Sequence, residues 1–232
     1  MATALPDRDA SDAVATLDRR DGPYGEVVLR RRGEHFEIIA NGCFLMDTVD
    51  GRSERLLVQA ALDRLGAAAE RPSVLIGGLG VGFSLAYAAA EPRWSRIAVA
   101  EREGAVIDWH RTGPLAAYSA GALDDPRVAV LHTDLLEYLA AAGDRYDALC
   151  LDIDNGPDWT VTDSNSGLYG PRGLAALWQR LRPGGVLAVW SAQPSTAFEE
   201  ALRAAGFSDV ATLEIPVARG VPDAVHLACR AV

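Results

Sequence analysis

From residue 72 onward, short apolar runs alternate with helical segments, and this alternation restricts the possible folds more than any other feature of the chain. The apolar runs lie at residues 74–76, 97–100, 128–131, 148–151 and 186–190. Runs of this kind are typical of parallel strands that are buried on both faces by the intervening helices. Two further strands, at 210–217 and 224–231, are joined by turn residues and predict a closing hairpin. The pattern predicts an α/β, Rossmann-like domain with a mostly parallel, seven-stranded sheet and an antiparallel C-terminal edge strand.

A different pattern precedes this domain. Strand-like segments occur at 26–32, 35–40 and 43–46, and Asn41-Gly42 separates the last two. Asn-Gly between apolar runs indicates a tight hairpin, because both residues tolerate positive φ. Apolar spacing then predicts a helix at 53–65. We therefore predict a flexible N-terminus at 1–20, a small β-hairpin unit with its helix at 21–66, and the Rossmann-like domain at 67–232.

Composition restricts the classes of partner. The formal net charge of −10 leaves no broad basic surface for nucleic acid or an anionic membrane. The four histidines show no metal-ligand spacing, and the three cysteines lie far apart, as expected for thiols in a reducing compartment. No early apolar stretch has the length of a signal peptide or a membrane span. We expect a cytoplasmic protein without metal, nucleic-acid or membrane partners.

The loop after the first parallel strand has the composition of a nucleoside site. It reads Gly77-Gly78-Leu79-Gly80-Val81-Gly82, and glycines let the backbone approach a ligand closely. Glu101 follows the second strand, where a carboxylate can accept hydrogen bonds from both ribose hydroxyls. Asp134 follows the third strand, where it can accept from an adenine amino group. Each feature has a plainer interpretation, as a tight turn or a helix cap, but their occurrence after three successive strands favours a ligand site.

The spacing of the loop favours an S-adenosyl ligand over other nucleotides. A dinucleotide loop requires Gly-x-Gly-x-x-Gly, and Phe83 occupies the last position when the count starts at Gly78. A bulky side chain there obstructs close packing of the helix under a pyrophosphate. The loop contains no lysine, which excludes a nucleoside-triphosphate P-loop.

Several segments resemble the spermidine synthases. The similar segments are Leu123-Asp124-Asp125-Pro126-Arg127-Val128 with Asp134 and Tyr138-Leu139, then Tyr146–Asp152, Gly167-Leu168-Tyr169 and Leu181-Arg182-Pro183-Gly184-Gly185. The resemblance covers roughly residues 24 to 232. It implies a methyltransferase-like fold, an assembly of two or more chains (we expect a homodimer), and transfer of an aminopropyl group from decarboxylated S-adenosylmethionine to a small-molecule amine.

The resemblance also implies roles for individual residues. Asp152 occupies the position of the catalytic aspartate, which accepts a proton from the amine and holds the nitrogen in line with the sulfonium carbon. Asp154 and Asn155 fall in the adjoining loop that helps to bind the amine. Trp159 and Tyr169 could stack against the amine or the adenine, or could instead anchor the loop in the core. The expected nucleoside-binding residues are Gly77, Gly78, Gly80, Gly82, Glu101, Asp134, Leu135 and Asp152.

The amine site departs from the family pattern more than the scaffold does. The family has an aspartate in the glycine loop, near the position of Gly80 here. Upstream, within residues 48–54, only Glu54 matches the family, and Arg52 would lie unfavourably near a cationic amine.

These departures leave three functions open. The first is aminopropyl transfer to an amine through Asp152. The second is methyl transfer from intact S-adenosylmethionine to a small acceptor, and the third is a non-catalytic relative of the same fold.

Overall fold

Two β-sheets organise the computed structural model, which describes residues 13–67, 69–141, 143–160, 165–217 and 220–232. The chain divides between Asp50 and Gly51 into two units, with one sheet in each. The helix that was grouped with the N-terminal β unit by its position in the sequence begins at Arg52 and lies in the second unit.

The first unit is a four-stranded antiparallel sheet in the order β1-β2-β3-β4. Its strands are β1 (Val14–Gly22), β2 (Gly25–Arg32), β3 (His35–Ala40) and β4 (Cys43–Asp47). The Asn41-Gly42 hairpin forms as the sequence predicts, with φ values of 51° and 79°. The Asn41 side chain also accepts from the Glu26 amide at 3.0 Å and donates to the Tyr24 carbonyl at 3.1 Å. One residue therefore makes its own turn and stabilises the turn between β1 and β2.

Strand β1 corrects the expectation of a flexible start as far as residue 20. Residues 14–20 belong to an ordered strand, and residues 1–12 lie outside the described part of the chain. Most of β1 is exposed and it lacks an apolar run, so hydrophobic periodicity gave no signal for it. Pairing with β2 from Val14↔Arg32 to Gly22↔Gly25 holds the strand instead, and charged residues such as Arg19 are typical of an exposed sheet edge.

The second unit has the predicted α/β architecture. Its sheet has the order β10-β11-β9-β8-β5-β6-β7. The strands are β5 (Ser73–Gly77), β6 (Arg96–Glu101), β7 (Val128–His132), β8 (Tyr146–Leu151), β9 (Leu181–Ser191), β10 (Ser208–Ile215) and β11 (Asp223–Cys229). The helices are α1 (Arg52–Leu65), α2 (Phe83–Ala90), α3 (Gly104–Arg111), α4 (Leu135–Ala140), α5 (Ser166–Tyr169), α6 (Pro171–Arg180) and α7 (Thr196–Ala204). None of the helices in this described part of the chain is long and apolar enough to cross a membrane.

The C-terminal hairpin enters the sheet out of sequence order. Strand β11 pairs antiparallel with β9 and with β10, so the antiparallel strand lies one place inside the edge. Strand β10 forms the edge itself and runs in the same direction as the parallel strands. The five strands β7, β6, β5, β8 and β9 are mutually parallel, so their carboxyl ends meet at one edge of the sheet.

The centre of the sheet is covered on both faces. All five residues of β5 are buried, which explains why its sequence reads as a continuous apolar run. Helix α1 packs on β8, β9 and β11, and the Cys150 thiol of β8 lies 3.9 Å from the Leu57 carbonyl of that helix. The opposite face is covered by residues of α4 to α7, among them Leu139, Leu174 and Phe198.

Two elements differ from the sequence pattern. Helix α5 forms within a stretch that carried only loop signals, and it has four residues. Strand β9 begins at Leu181, so Pro183-Gly184-Gly185 lies within the strand rather than before it. The pairing between β8 and β9 shifts at this point, and Gly184 has a φ of 76°. The two glycines therefore form an irregularity within β9, where its pairing with β8 shifts, and not a separate turn before the strand.

Arg180 at the end of α6 generates the first prediction. This buried side chain donates to backbone carbonyls of α4 and of the segment that leads from α4 to β8, those of Tyr138, Leu139, Ala141 and Asp144. We expect Arg180→Met to lower the free energy of unfolding by about 2–4 kcal/mol, because several carbonyls lose their donor. Arg182→Met is the matched control, since Arg182 is largely exposed and pairs with Asp147 at the surface, where loss of a pair costs about 1 kcal/mol or less. Urea unfolding of the three proteins measures the difference, and equal effects of the two substitutions would contradict the assignment.

Candidate active site

The predicted site residues gather at the edge where the parallel strands end. Gly77 ends β5, Glu101 ends β6 and Leu151 ends β8. Strand β5 lies between β6 and β8, because the chain runs from β5 to β6 and β7 on one side and then crosses back to β8 on the other side. Ligands in open α/β sheets bind in the crevice at such a point, outside the carboxyl ends of the strands.

The glycine loop makes backbone contacts that a side chain would prevent. Gly78, Gly80 and Gly82 have φ values of 91°, 49° and 97°, in the region that favours glycine. A Cβ atom on Gly78 would lie 2.2 Å from the carbonyl oxygen of Asp152. The Gly78 amide donates to the Ala100 carbonyl at 2.9 Å, and the Asp152 amide donates to the Gly77 carbonyl at 2.9 Å. The loop is therefore fixed to the ends of both neighbouring strands.

Glu101 is a structural part of this loop. Its Oε2 accepts from the Leu79 amide at 2.9 Å, and its Oε1 accepts from the Glu103 amide at 2.7 Å. The side chain is only 8 % exposed, and this burial raises the pKa of the carboxyl while the two amides partly offset the rise. Each carboxylate oxygen can accept a further hydrogen bond. The arrangement therefore fits the predicted contact with two ribose hydroxyls and adds a role in holding the loop.

Asp134 caps helix α4, as its plainer interpretation stated. Its Oδ1 accepts from the Leu136 amide at 2.8 Å and from the Glu137 amide at 3.2 Å. Both bonds use Oδ1, so Oδ2 takes no part in the cap and keeps its capacity to accept hydrogen bonds. Leu135 packs beside Gly77, since a Cβ atom there would lie 2.8 Å from Leu135 Cδ2. The structure thus brings Asp134 and Leu135 to the glycine loop.

Asp152 lies in strongly acidic surroundings. It follows β8 directly, beside the glycine loop. Burial raises the pKa of its carboxyl well above the ordinary value, and the carboxylates of Glu54 and Asp223 raise it further. Glu54 is itself buried on α1, where it accepts from the Ser53 hydroxyl at 2.9 Å. A cation bound beside Asp152 would offset this repulsion.

The loop after Asp152 is held by a polar network that the sequence did not reveal. Asp154 is buried and accepts from the Asn165 side-chain amide at 3.0 Å and from the Asn155 backbone amide at 3.2 Å. Asn165 accepts in turn from Arg102 Nη1 at 3.5 Å. Arg102 directly follows Glu101, so this network joins the end of β6 to the loop after β8. No periodicity or motif distinguishes a single asparagine in a polar loop, which is why Asn165 was missed.

The two aromatic candidates differ in placement. Tyr169 is buried and contacts Phe198 edge to face, with ring centroids 5.6 Å apart. Burial raises the pKa of its hydroxyl, and the nearby Asp154 and Asp152 carboxylates contribute. Trp159 has a relative exposure of 63 %, so the expectation that it anchors the loop in the core is wrong. Its predicted contact with the amine or the adenine stays a prediction.

His110 is a further residue that the sequence patterns did not assign. It is buried on α3 and its Nε2 lies 2.8 Å from the Gly80 carbonyl oxygen, to which it donates. Burial lowers the pKa of the imidazole, which favours the neutral ring with the proton on Nε2. A Cβ atom on Gly82 would lie 2.7 Å from His110 Cε1. The imidazole ring therefore packs against the glycine loop and holds it through a hydrogen bond.

Comparisons with known proteins give relatives of one kind. No protein-family model matches the chain. A polyamine aminopropyltransferase from Mycobacterium tuberculosis is 32 % identical over 200 residues, which cover 82 % of this chain and 36 % of that protein. The chain thus spans about a third of the length of the curated relatives it matches.

Two solved structures share the fold. The spermidine synthase of Thermotoga maritima has a TM-score of 0.73 and 15 % identity, covering 94 % of this chain and 73 % of that one. A spermidine synthase in complex with the transition state analogue AdoDATO has a TM-score of 0.72 and 16 % identity, with the same coverage. The predicted fold, a Rossmann-like domain of the methyltransferase type with an N-terminal β unit, is confirmed.

Because Asp152 is buried beside two other carboxylates, we expect its ionised form to lower the free energy of unfolding. A carboxyl group with a raised pKa binds more protons in the folded chain, so stability falls as pH rises from about 4, the ordinary aspartate value, toward the raised pKa. We expect Asp152→Asn to raise the Tm by at least about 2 °C at pH 8, and the gain to shrink as pH falls toward 4. Asp63→Asn, an exposed aspartate of α1, is the matched control. Calorimetric scans over pH test this, and a Tm difference that does not depend on pH would contradict it.

Proposed function

Because the chain is related in sequence to polyamine aminopropyltransferases and has the fold of spermidine synthases, we propose that it is a transferase that moves an aminopropyl group from decarboxylated S-adenosylmethionine to an amine. The observation that carries the proposal is the placement of Asp152, at the end of β8, in contact with the glycine loop through its backbone and beside two other carboxylates. In this proposal the glycine loop, which would bind the nucleoside, lies directly beside the anionic region that would bind the acceptor.

The donor end is formed by the glycine loop, Glu101 and Asp134. The positive φ values of Gly78, Gly80 and Gly82 favour glycine, so these three positions place no side chain between the loop and a ligand. Glu101 would accept from the ribose hydroxyls with the lone pairs that the Leu79 and Glu103 amides do not use. Asp134 would accept from the adenine amino group through Oδ2. When bound, the donor supplies a carbon activated by a sulfonium, with a neutral thioether as leaving group.

Asp152 would act on the acceptor. The attacking nitrogen must be deprotonated before its lone pair can form the new C–N bond, and the electrons of the broken C–S bond go to sulfur. The Asp152 carboxylate would take the proton from nitrogen and hold the amine in line with the reacting carbon. Its raised pKa suits this step, because a carboxylate with the ordinary aspartate value is a weak base near neutral pH. Asp154, Asn155, Trp159 and Tyr169 would complete the acceptor region.

Methyl transfer from intact S-adenosylmethionine is the second candidate, and one observation favours it. Gly80 stands near the place where the family has an aspartate in the glycine loop, so this loop carries no charge against the carboxylate of the intact donor. The acidic surroundings of Asp152 favour the decarboxylated donor and a cationic acceptor instead. A non-catalytic role would explain neither the acidic surroundings of Asp152 nor the glycine loop beside it. We further propose that the protein is cytoplasmic and acts as a homodimer.

Side-by-side calorimetry with the two donors tests the proposed function. We expect the decarboxylated donor to bind at least about tenfold more tightly than intact S-adenosylmethionine, because the added carboxylate would be repelled by the carboxylates around Asp152. Methylthioadenosine serves as the control for the nucleoside part. Preference for the intact donor would replace aminopropyl transfer with methyl transfer, and binding of none of the three would contradict both.

Paired substitutions separate donor binding from the proton step. We expect Asp152→Asn to lower turnover at least about 100-fold while donor affinity changes little, because the amide cannot accept the proton. Glu101→Ala should weaken donor binding more than about tenfold, since it removes the ribose contacts and the tether of the Leu79 amide. Glu200→Ala, an exposed glutamate of α7, is the control for both measurements. Equal loss of binding and turnover in the Asp152 variant would refute its role as base.

A further inference from the structure

The Gly80 carbonyl of the glycine loop has one hydrogen-bond donor among the described residues, the Nε2 atom of His110 at 2.8 Å. The groups next to it in the loop bond elsewhere. The Leu79 amide donates to Glu101, and the Leu79 carbonyl accepts from the Gly82 amide at 2.9 Å. Gly80 has no side chain and a φ of 49°, so only its backbone can anchor it. The orientation of Gly80 therefore depends on one imidazole ring.

The bond to His110 also sets the direction of the next amide. The carbonyl and the amide of a trans peptide point in opposite directions. Because the Gly80 carbonyl points at the ring on α3, the Val81 amide of the same peptide points away from that ring. The imidazole thus fixes the plane of a peptide in the loop whose backbone would approach the nucleoside.

The surroundings of His110 determine which ring nitrogen carries the proton. The side chain is 3 % exposed, and burial lowers its pKa, while the backbone of Gly80 and Leu115 partly offsets this effect. The Leu115 carbonyl already accepts from the Tyr118 amide at 2.9 Å and the Ser119 amide at 3.4 Å, so it needs the ring proton less than Gly80 does. The neutral ring therefore carries its proton on Nε2. Its Nδ1 has no hydrogen-bond partner in the part of the chain that the structure describes.

The same ring packs against the point where the loop enters α2. A Cβ atom on Gly82 would lie 2.7 Å from His110 Cε1 and 3.2 Å from the Ser119 amide nitrogen. The contacts at Gly80 and Gly82 thus hold the last turn of the loop against α3 and the segment that follows α3.

We propose that His110 is a positioning residue that sets the affinity of the glycine loop for the nucleoside of the donor. The proposal rests on the proposed function. Glu101 holds the Leu79 amide and His110 holds the Gly80 carbonyl, so two side chains from different elements order the loop in the free protein. A loop that is ordered in advance loses less conformational entropy when its ligand binds. Loss of the Nε2 donor therefore weakens nucleoside binding through the loop.

Two substitutions with methylthioadenosine as the probe test this role. His110→Leu keeps most of the side-chain volume without a donor, whereas His110→Gln offers an amide N–H in place of Nε2. We expect calorimetric binding of methylthioadenosine to weaken at least about fivefold in His110→Leu and to stay within about threefold of wild type in His110→Gln. His35→Leu, an exposed histidine of β3, is the matched control and should bind as wild type does.

Steady-state kinetics separates positioning from a loss of folded protein. We expect KM for the decarboxylated donor to rise in His110→Leu, while kcat at saturating donor changes less than about threefold. A lower kcat with unchanged KM, wild-type affinity of His110→Leu, or equal losses in the Leu and Gln variants would overturn the proposal. Failure of wild type to bind methylthioadenosine would contradict the proposed function itself, and the role of His110 with it.

Nitrogen NMR of the wild-type protein gives a test that does not require a variant to fold. We expect Nε2 of His110 to carry the proton of the neutral ring, and its chemical shift to change when methylthioadenosine binds. The ring of His35 should not respond. A proton on Nδ1 of His110, or a His110 signal that stays unchanged in the complex, would refute the proposal.

Discussion

The contact between the glycine loop and the backbone of Asp152 is the constraint on which the candidate site depends. The Gly78 backbone approaches the Asp152 carbonyl so closely that a methyl group would lie 2.2 Å from the oxygen, and the Asp152 amide donates to Gly77. These contacts fix the separation between the glycine loop, the proposed donor site, and Asp152, the proposed acceptor carboxylate. Glu101 tightens the other side of the loop through the Leu79 amide, and His110 supports it through the Gly80 carbonyl.

The sequence revealed those parts of the molecule that follow from burial and local backbone preference. Strand β5 is recognisable because all its residues are apolar or small and buried, and Asn41-Gly42 because positive φ restricts the residue types. Strand β1 was not recognisable, since backbone pairing with β2 holds a largely exposed, charged segment. Helix α5 has four residues, too few for a period to appear.

For the site, the sequence indicated residues but not their connections. Glu101 was expected to meet a ribose, yet its bonds to two backbone amides come from the folding of a loop around it. The bond between Asn165 and Asp154 joins segments that are distant along the chain, and no local pattern encodes such a pair. The exposure of Trp159 was equally hidden, because an aromatic residue in a loop is compatible with a core, a ligand wall or a surface.

The position of β11 has a consequence for folding. This strand occupies the place between β9 and β10, although both precede it in the sequence. Until it inserts, β9 presents an unpaired edge whose residues 186 to 189 are fully buried in the finished sheet. Open apolar edges pair readily with other chains. Insertion of β11 therefore covers an apolar edge of β9 that would otherwise be open to pairing with another chain.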